Sequence, residues 1–597
     1  MVKFFSFVYV SIEPKIYLSK PMLQLTLNEK RWQIMSCKIK EVLDKVLGDI
    51  SPSIDEQTRS AINTLFNLVE TLFEKSLSSK KEIQNLKDEV SRLKGEQPKP
   101  TIRKQTTDSS DENNEEEDSN HSSEDERKNP KDKKGRKPKI KKKKVVVIDK
   151  HVTCDIDVSS LPDDVIFKGY ETRVIQDLII TTDNTEFKLP TYYSPSLKKT
   201  FIAKLPQGYY GEFGPTIRTL VITLYRDSQM TESSIERFLK TFGIYIAAST
   251  ISIMITENHT VFHQEKEDII KEGLKSTEYQ HIDDTGCRVN GKNNYAHIIC
   301  NPFYTAFFTR PKKDRLTLLE LLCVDELKFS FNDESYKLMT ELGLADSRLN
   351  DLKTSSIGSI VSRHEVDNLL LELFPDPKKH SKNRRVILEA SAIVYYQASE
   401  YSIEHLMCDD APQFNRIAKH KALCWIHEGR HYKKLSPVCQ PHIDALENFI
   451  GQFWDYYKLL LDYKENPSDV IALSLNQQFD LLFSTKTGYD DLDKRIALTL
   501  AKKESLLLVL IFVFLPLHNN PAELGTRVQA RMRDVNLHTI SDNGTKSKDT
   551  FATLVQTAKK LGVNFFHYIF DRVTKKNSMK SLAQIIKEKS TPLIDSC

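Results

Sequence analysis

Residues 101 to 144 contain almost no large apolar side chains, so this chain cannot fold around one continuous core. A stretch of that composition buries too little surface to offset the entropy lost on ordering it. It is acidic over 108 to 126 and basic from there to 144. In a chain of 597 residues, such a linker predicts several domains. The charge blocks cancel to a net +4, so their segregation says more about partners than their sum.

Ahead of the linker, Ile62, Val69, Ile83 and Val90 fall on one seven-residue repeat. Leu65, Leu72, Leu86 and Leu93 fall on another. This predicts a parallel two-stranded coiled coil over 61 to 97, hence a homodimer or a higher assembly. Ser76 and Ser79 weaken the middle heptad, and a helix packed on its own domain fits the pattern too. Residues 1 to 60 read as an N-terminal extension and helical lead-in, poorly structured at first, with Met35 as an alternative start. Phe4, Phe5 and Phe7 are too short an apolar run for a secretory signal.

The longest apolar run, 506 to 515, is about half a membrane span and predicts a buried helix or strand. Nine cysteines occur without a C-x-x-C pair, which suggests a reducing cytosol rather than a disulfide framework.

Downstream, 145 to 205 predicts a small β-rich module with strands over 174 to 182 and 186 to 193. Residues 206 to 265 predict a helix-turn-helix region. Thr231 caps a first helix, a turn follows over 241 to 245, and a second helix begins near Ser249. Ser249, Thr250 and Ser252 would face a major groove. That helix lacks Arg and Lys, and a purely structural pair fits equally. Arg136 and Lys137, followed by Lys141 and Lys142, resemble a minor-groove arm. A solvated linker is the plainer reading.

Three acidic positions stand out. Asp283 lies on the first strand of an expected three-stranded meander, with 295 to 300 and 304 to 310 as the other two. Asp409 follows a strand-like stretch, 402 to 408. Glu523 falls in the first turn of a helix, where a capping box with Asn520 would explain it without chemistry. Arg527 lies one turn further on. Hard oxygen ligands converging from separate segments are what two divalent ions need for phosphoryl transfer. A ribonuclease-H-like sheet supplies them in this order.

HIDDTGCRV, MCDDAPQFN, CWIHEGRHY and LPLHNNPAELGTR resemble, in order, the motifs of the insertion-sequence-66 group of bacterial DDE transposases. The likeness covers most of residues 61 to 575. It implies Asp283, Asp409 and Glu523 as catalytic metal ligands, with Asn415 fixing the choice of Asp409 over Asp410. Cys424 and His427 match a pair implied to support the site. The implied cofactor is two Mg²⁺ ions, with Mn²⁺ as substitute. That group commonly has C-x-x-C pairs where residues 150 to 210 contain only Cys154, so no zinc is expected. Leu524 stands where the group usually has Arg.

The expected architecture is therefore multidomain α+β: coiled coil, linker (98 to 144), β-rich module, helix-turn-helix region, and a ribonuclease-H-like mixed α/β catalytic core at 266 to 535. A helical insertion interrupts that core at about 316 to 401, and a helical C-terminal tail follows over 536 to 597. Lys382, Arg384 and Arg385 in the insertion would touch DNA phosphates. The expected partners are the element's terminal inverted repeats, target DNA, a second copy of the chain and accessory proteins of the same element, with no membrane. The expected location is the bacterial cytoplasm, at the nucleoid. Rival readings are a transposase-derived DNA-binding protein without catalysis, a nuclease that cuts without joining, and a structural coiled-coil protein.

Overall fold

The computed structural model describes residues 55–93, 148–156, 168–355 and 357–594. The arm bearing Arg136, Lys137, Lys141 and Lys142 lies outside them. The protein is mixed α and β, and no helix among the described residues is long and apolar enough to cross a membrane.

In chain order, α1 (Glu56–Leu93) comes first, followed by a hairpin of Thr191–Ser194 and Lys199–Ile202. Next come α2 (Pro215–Arg226), α3 (Glu232–Thr241), α4 (Ala248–Thr256) and α5 (Thr260–Lys275). Strands β1 (Tyr279–Val289), β2 (Lys292–Cys300) and β3 (Thr305–Arg310) precede α6 (Arg315–Leu322), α7 (Asp333–Glu341), α8 (Asp346–Thr354), α9 (Arg363–Leu373) and α10 (Ser381–Gln397). Strands β4 (His405–Cys408) and β5 (His420–Leu423) lead to α11 (Trp425–Lys433), α12 (Gln440–Glu465), α13 (Asp469–Phe483) and α14 (Asp490–Leu500). The chain closes with α15 (Asn520–Asn536), α16 (Asp542–Leu561), α17 (Phe565–Val573) and α18 (Leu582–Ile594). Two compact units result: one joins α1 to Ala422–His518, the other joins Asn120–Lys421 to Asn519–Cys597.

The second unit is built on a five-stranded sheet in the order β3-β2-β1-β4-β5. The meander β1-β2-β3 is antiparallel, as expected of three strand-like runs that follow one another closely, while β1 and β4 run parallel. Side chains alternate between faces. Ile282, Ile299, Ala306 and Phe308 join a large core with α5, α6 and α10. Ile298 and Phe307 point the other way and meet Ala552 of α16.

The outer edge of β3 is closed by α16. Backbone N–H groups of Thr309, Phe307 and Thr305 donate to Asp549 Oδ2 (2.6 Å), Thr553 Oγ1 (3.1 Å) and Thr557 Oγ1 (3.3 Å). The match is geometric. Four helical residues rise about 6 Å, close to the span of two strand residues. An edge that could recruit a foreign strand is thereby occupied. The expected C-terminal tail is thus part of the sheet's own fabric.

Some expectations fail. Residues 174 to 182 form no strand, and Ile175, Leu178 and Ile179 are 85%, 78% and 79% exposed. β-Branched side chains favour a strand only when a partner covers them, and the short hairpin at Thr191–Ser194 is all that pairs in that region. The expected insertion at 316 to 401 is helical, but Leu318, Val386, Ile393 and Tyr396 are built into the main core rather than set apart. The block that separates is 422 to 518 instead. The apolar run 506 to 515 forms short helical turns rather than one helix or strand; Leu506, Leu507, Val509 and Leu515 are buried as expected, while Ile511 is 72% exposed.

The helical unit is organised by Trp425. Its ring is fully buried against Phe453 (5.5 Å), Tyr456 (5.6 Å) and Phe479 (6.2 Å), and Nε1 donates to Leu506 O at 2.9 Å. In α1, Phe66 and Glu70 face this interior, and Asn67 clamps Gly488 O and the Asp490 N–H. The neighbouring stripe, Leu65, Leu72 and Leu86, stays 60%, 59% and 55% exposed. One helix therefore has a face packed on its own domain and a leucine row left exposed.

Candidate active site

The sheet register brings the first two acids together. In the β1–β4 pair, Tyr279 faces His405 and His281 faces Met407. Extending that parallel register by two residues sets Asp409, just past the end of β4, beside Asp283. Adjacent strands lie about 4.8 Å apart, and directly registered residues share a face. Asp283 is also the cross-strand partner of Ile298, so both acids lie on the face opposite the large core.

Helix α15 delivers the third acid to that face. Asn519 precedes the helix and grips β1: its Nδ2 donates to Ile282 O at 2.7 Å, and its Oδ1 lies 2.9 Å from His281 Nδ1. At the far end, Arg533 donates to Gly286 O at 2.6 Å. Between these anchors, Gly525 lies against Ile298, where an added Cβ would come within 2.7 Å of Cγ2. Only glycine permits that approach without displacement. Glu523, two residues earlier and 8% exposed, is carried in with it.

The capping-box explanation of Glu523 does not hold. The helix N-cap is Asn519 rather than Asn520, and its side chain makes no capping bond because β1 occupies it. Asn520 is buried in the first turn, and Arg527 is exposed. Neighbouring acids are distinguished by their partners. Asp284, on the other face, is held by Lys313 (3.3 Å) and Gln413 (2.7 Å). Asp410 is paired with Lys421 at 3.1 Å, and Lys421 also reaches Asn415.

Electrostatics report the same convergence. Burial, reinforced by the charges of Asp409, Asp284 and Glu523, pushes the Asp283 carboxyl up to about 7, although the Asp284 N–H bond opposes the shift. Crowded carboxylates on one face are the donor set that hard divalent cations neutralise. The consequence for stability has a definite sign. The folded state holds this proton more tightly than the unfolded chain. Its contribution is therefore fully present at acidic pH and is lost as pH rises through about 7. Divalent metal should act oppositely, since it competes with the proton. The rise in melting temperature on adding Mn²⁺ should be clear at pH 8 and shrink below pH 7, apparent affinity falling about tenfold per unit. A metal effect equally large at pH 5.5 would contradict the assignment.

The other expected residues divide. Cys424 is the N-cap of α11 and His427 lies in its first turn, both within the helical unit. Thr231 caps α3 as expected, through a 3.2 Å bond from Ser234 N, and Gly243 makes the turn to α4 with positive φ. Ser249 is exposed and Thr250 half-buried, while Ser252 lines a cleft of about 180 Å³ with Arg226, Arg533 and Lys548. Lys382 and Arg385 are exposed, but Arg384 has another task. It donates to Leu370 O (2.8 Å) and Phe374 O (3.0 Å), satisfying the C-terminal carbonyls of α9. Arg384→Ala should cost about 1.5–3 kcal/mol in urea unfolding. Sequence reasoning missed Arg384's role, the Asn519 clamp and Gly525. Gly525 and Asn519 sit inside the very motif that was noticed, so spacing alone marked them.

No protein-family model matches the chain. A curated bacterial relative, "Uncharacterized protein y4jO" of Sinorhizobium fredii (strain NBRC 101917 / NGR234), is 31% identical over 306 residues, which are 50% of this chain and 93% of the relative. The chain belongs to the family of that protein.

Proposed function

We propose that this protein is a metal-dependent DNA transposase of the insertion-sequence-66 type, with Asp283, Asp409 and Glu523 as its catalytic acids. The observation that carries this reading is the meeting of acids from β1, the end of β4 and the first turn of α15 on one face of the sheet. The strand order β3-β2-β1-β4-β5, with β2 antiparallel to β1 and β3 and with β1 parallel to β4, supports a ribonuclease-H-like core.

Asp283, Asp409 and Glu523 would be the residues that hold two Mg²⁺ ions. Such ions, when bound, polarise the phosphate and lower the pKa of an attacking water. The protein's own contribution is placement. Asn519 and Gly525 fix α15 against β1 and β2, so Glu523 enters the site without a search. Lys313 and Gln413 hold Asp284 on the opposite face. Hydrolysis of a phosphodiester at the element end would leave a 3′-hydroxyl. That hydroxyl would then attack a target phosphorus and release the adjoining target 3′-oxygen. Neither a covalent protein intermediate nor ATP is needed.

DNA would be held by α4 through Ser249, Thr250 and Ser252, and by the exposed cations Lys382 and Arg385. The leucine row of α1 suits pairing with a second copy. The test is the purified chain with Mg²⁺ or Mn²⁺ and DNA from the flanks of its gene, with a target plasmid. Cleaved ends and joined products support the reading. Nicks without joining indicate a nuclease, and specific binding without cleavage in either metal indicates a DNA-binding protein that has lost catalysis.

A further inference from the structure

Glu70, Cys439 and His442 meet inside the helical unit, and one ligand-type atom from each lies within 4.8 Å of the others. Their exposures are 2%, 0% and 3%. Cys439 is the N-cap of α12 and His442 lies in its first turn, a Cys-x-x-His spacing. Glu70 arrives from α1, and its Oε1 accepts the backbone N–H groups of Val438 and Cys439 at 2.8 and 2.9 Å.

Those two bonds explain the carboxylate as a cap for α12, since an anion is favoured at a helix N-terminus. They do not explain the imidazole. His442 Nδ1 lies 3.4 Å from Glu70 Oε1 without hydrogen-bond geometry, and Nε2 has no hydrogen-bond partner among the described residues. The ring is nevertheless held in place, stacked on Tyr489 at 4.6 Å and edge-on to Phe66 at 6.0 Å. A buried imidazole with unused polar atoms is costly. Beside a thiol and a carboxylate, its lone pair suits a borderline-soft cation.

We propose that Glu70, Cys439 and His442 bind a zinc ion that staples α1 to the start of α12. Zinc bonds of about 2.0–2.3 Å put tetrahedral ligands about 3.3–3.8 Å apart, so the cluster closes with movements of about 1 Å. Three protein ligands leave the fourth position to water. Sulfur and nitrogen donors favour zinc over magnesium, which separates this centre chemically from the acid face of the sheet. A search for C-x-x-C pairs overlooks it, because Glu70 stands 369 residues from Cys439.

The test uses the full chain, stripped with chelator and reconstituted with zinc alone. About one zinc per chain should be retained in Cys424→Ser and lost in Cys439→Ser, His442→Gln and Glu70→Gln. Cobalt in place of zinc should give thiolate charge-transfer and tetrahedral d–d bands in the unmodified protein, a readout independent of how the variants fold. Zinc below one-tenth of an equivalent, cobalt spectra without a thiolate band, or zinc content unchanged in Cys439→Ser would each overturn the proposal.

Discussion

Asp283→Asn is expected, on the proposed function, to lower strand cleavage and joining by about 10²–10³-fold, the scale of removing one preorganised electrostatic contact from a reacting centre. Asp409→Asn should do the same, while binding to element ends persists in both. Asp284→Asn is the internal control, because that carboxylate is engaged by Lys313 and Gln413 on the other face and should leave most activity in place. A second readout moves the opposite way. Burial and neighbouring acids make the ionised Asp283 carboxylate unfavourable above about pH 7. At pH 8 without metal, Asp283→Asn should therefore melt higher than the unmodified protein. A change that destroys activity while raising stability marks a group kept for chemistry rather than for the fold. Retained joining in Asp409→Asn would remove the proposed site altogether.

Trp425→Ala is the largest expected loss of stability. The ring is fully buried among Phe453, Tyr456, Phe479 and Phe483, and its N–H bonds Leu506 O. Truncating a buried tryptophan costs about 3–5 kcal/mol through lost transfer energy and the cavity left behind. Urea unfolding, followed by the fluorescence of Trp454 in α12, would measure it in the helical unit. The close approach of Gly429 to Trp454, where a Cβ would lie 2.4 Å from the ring, argues against relaxation that refills the hole. A loss under about 1 kcal/mol would mean that this aromatic cluster is far looser than its geometry indicates.

The sequence made local features legible. The strand-like runs around Asp283 did become a meander, Thr231 did cap its helix, and the three acidic positions fell on the elements expected of them. These rest on periodicity and capping chemistry, which act within a few residues. What could not be read depends on partners far along the chain. Residues 174 to 182 have strand-forming composition, yet no strand pairs with them. Arg384 sits in a basic run but bonds the end of the preceding helix. The aromatic residues of α12 and α13 carry no local mark that they and α1 close on each other as one unit. The leucine repeat of α1 was visible, but the adjacent stripe of Phe66 and Glu70 gained its meaning only from Asn67, Gly488 and Cys439.

The ladder from α16 to β3 also sets a timetable. The meander is complete once residue 310 has been synthesised, but the helix that covers its edge ends at Leu561. The interval of 251 residues (561 − 310) takes roughly 12–50 s at about 5–20 residues per second. Throughout that time the N–H groups of Thr305, Phe307 and Thr309 face the cell with no α16 to accept them. Glu523 also leaves the ribosome late in the same interval. A nascent chain thus acquires its sealed edge and its third acid almost together, close to release. Premature termination anywhere before α16 would yield a product open to strand addition by its own kind, and termination before Glu523 would leave out the third acid as well.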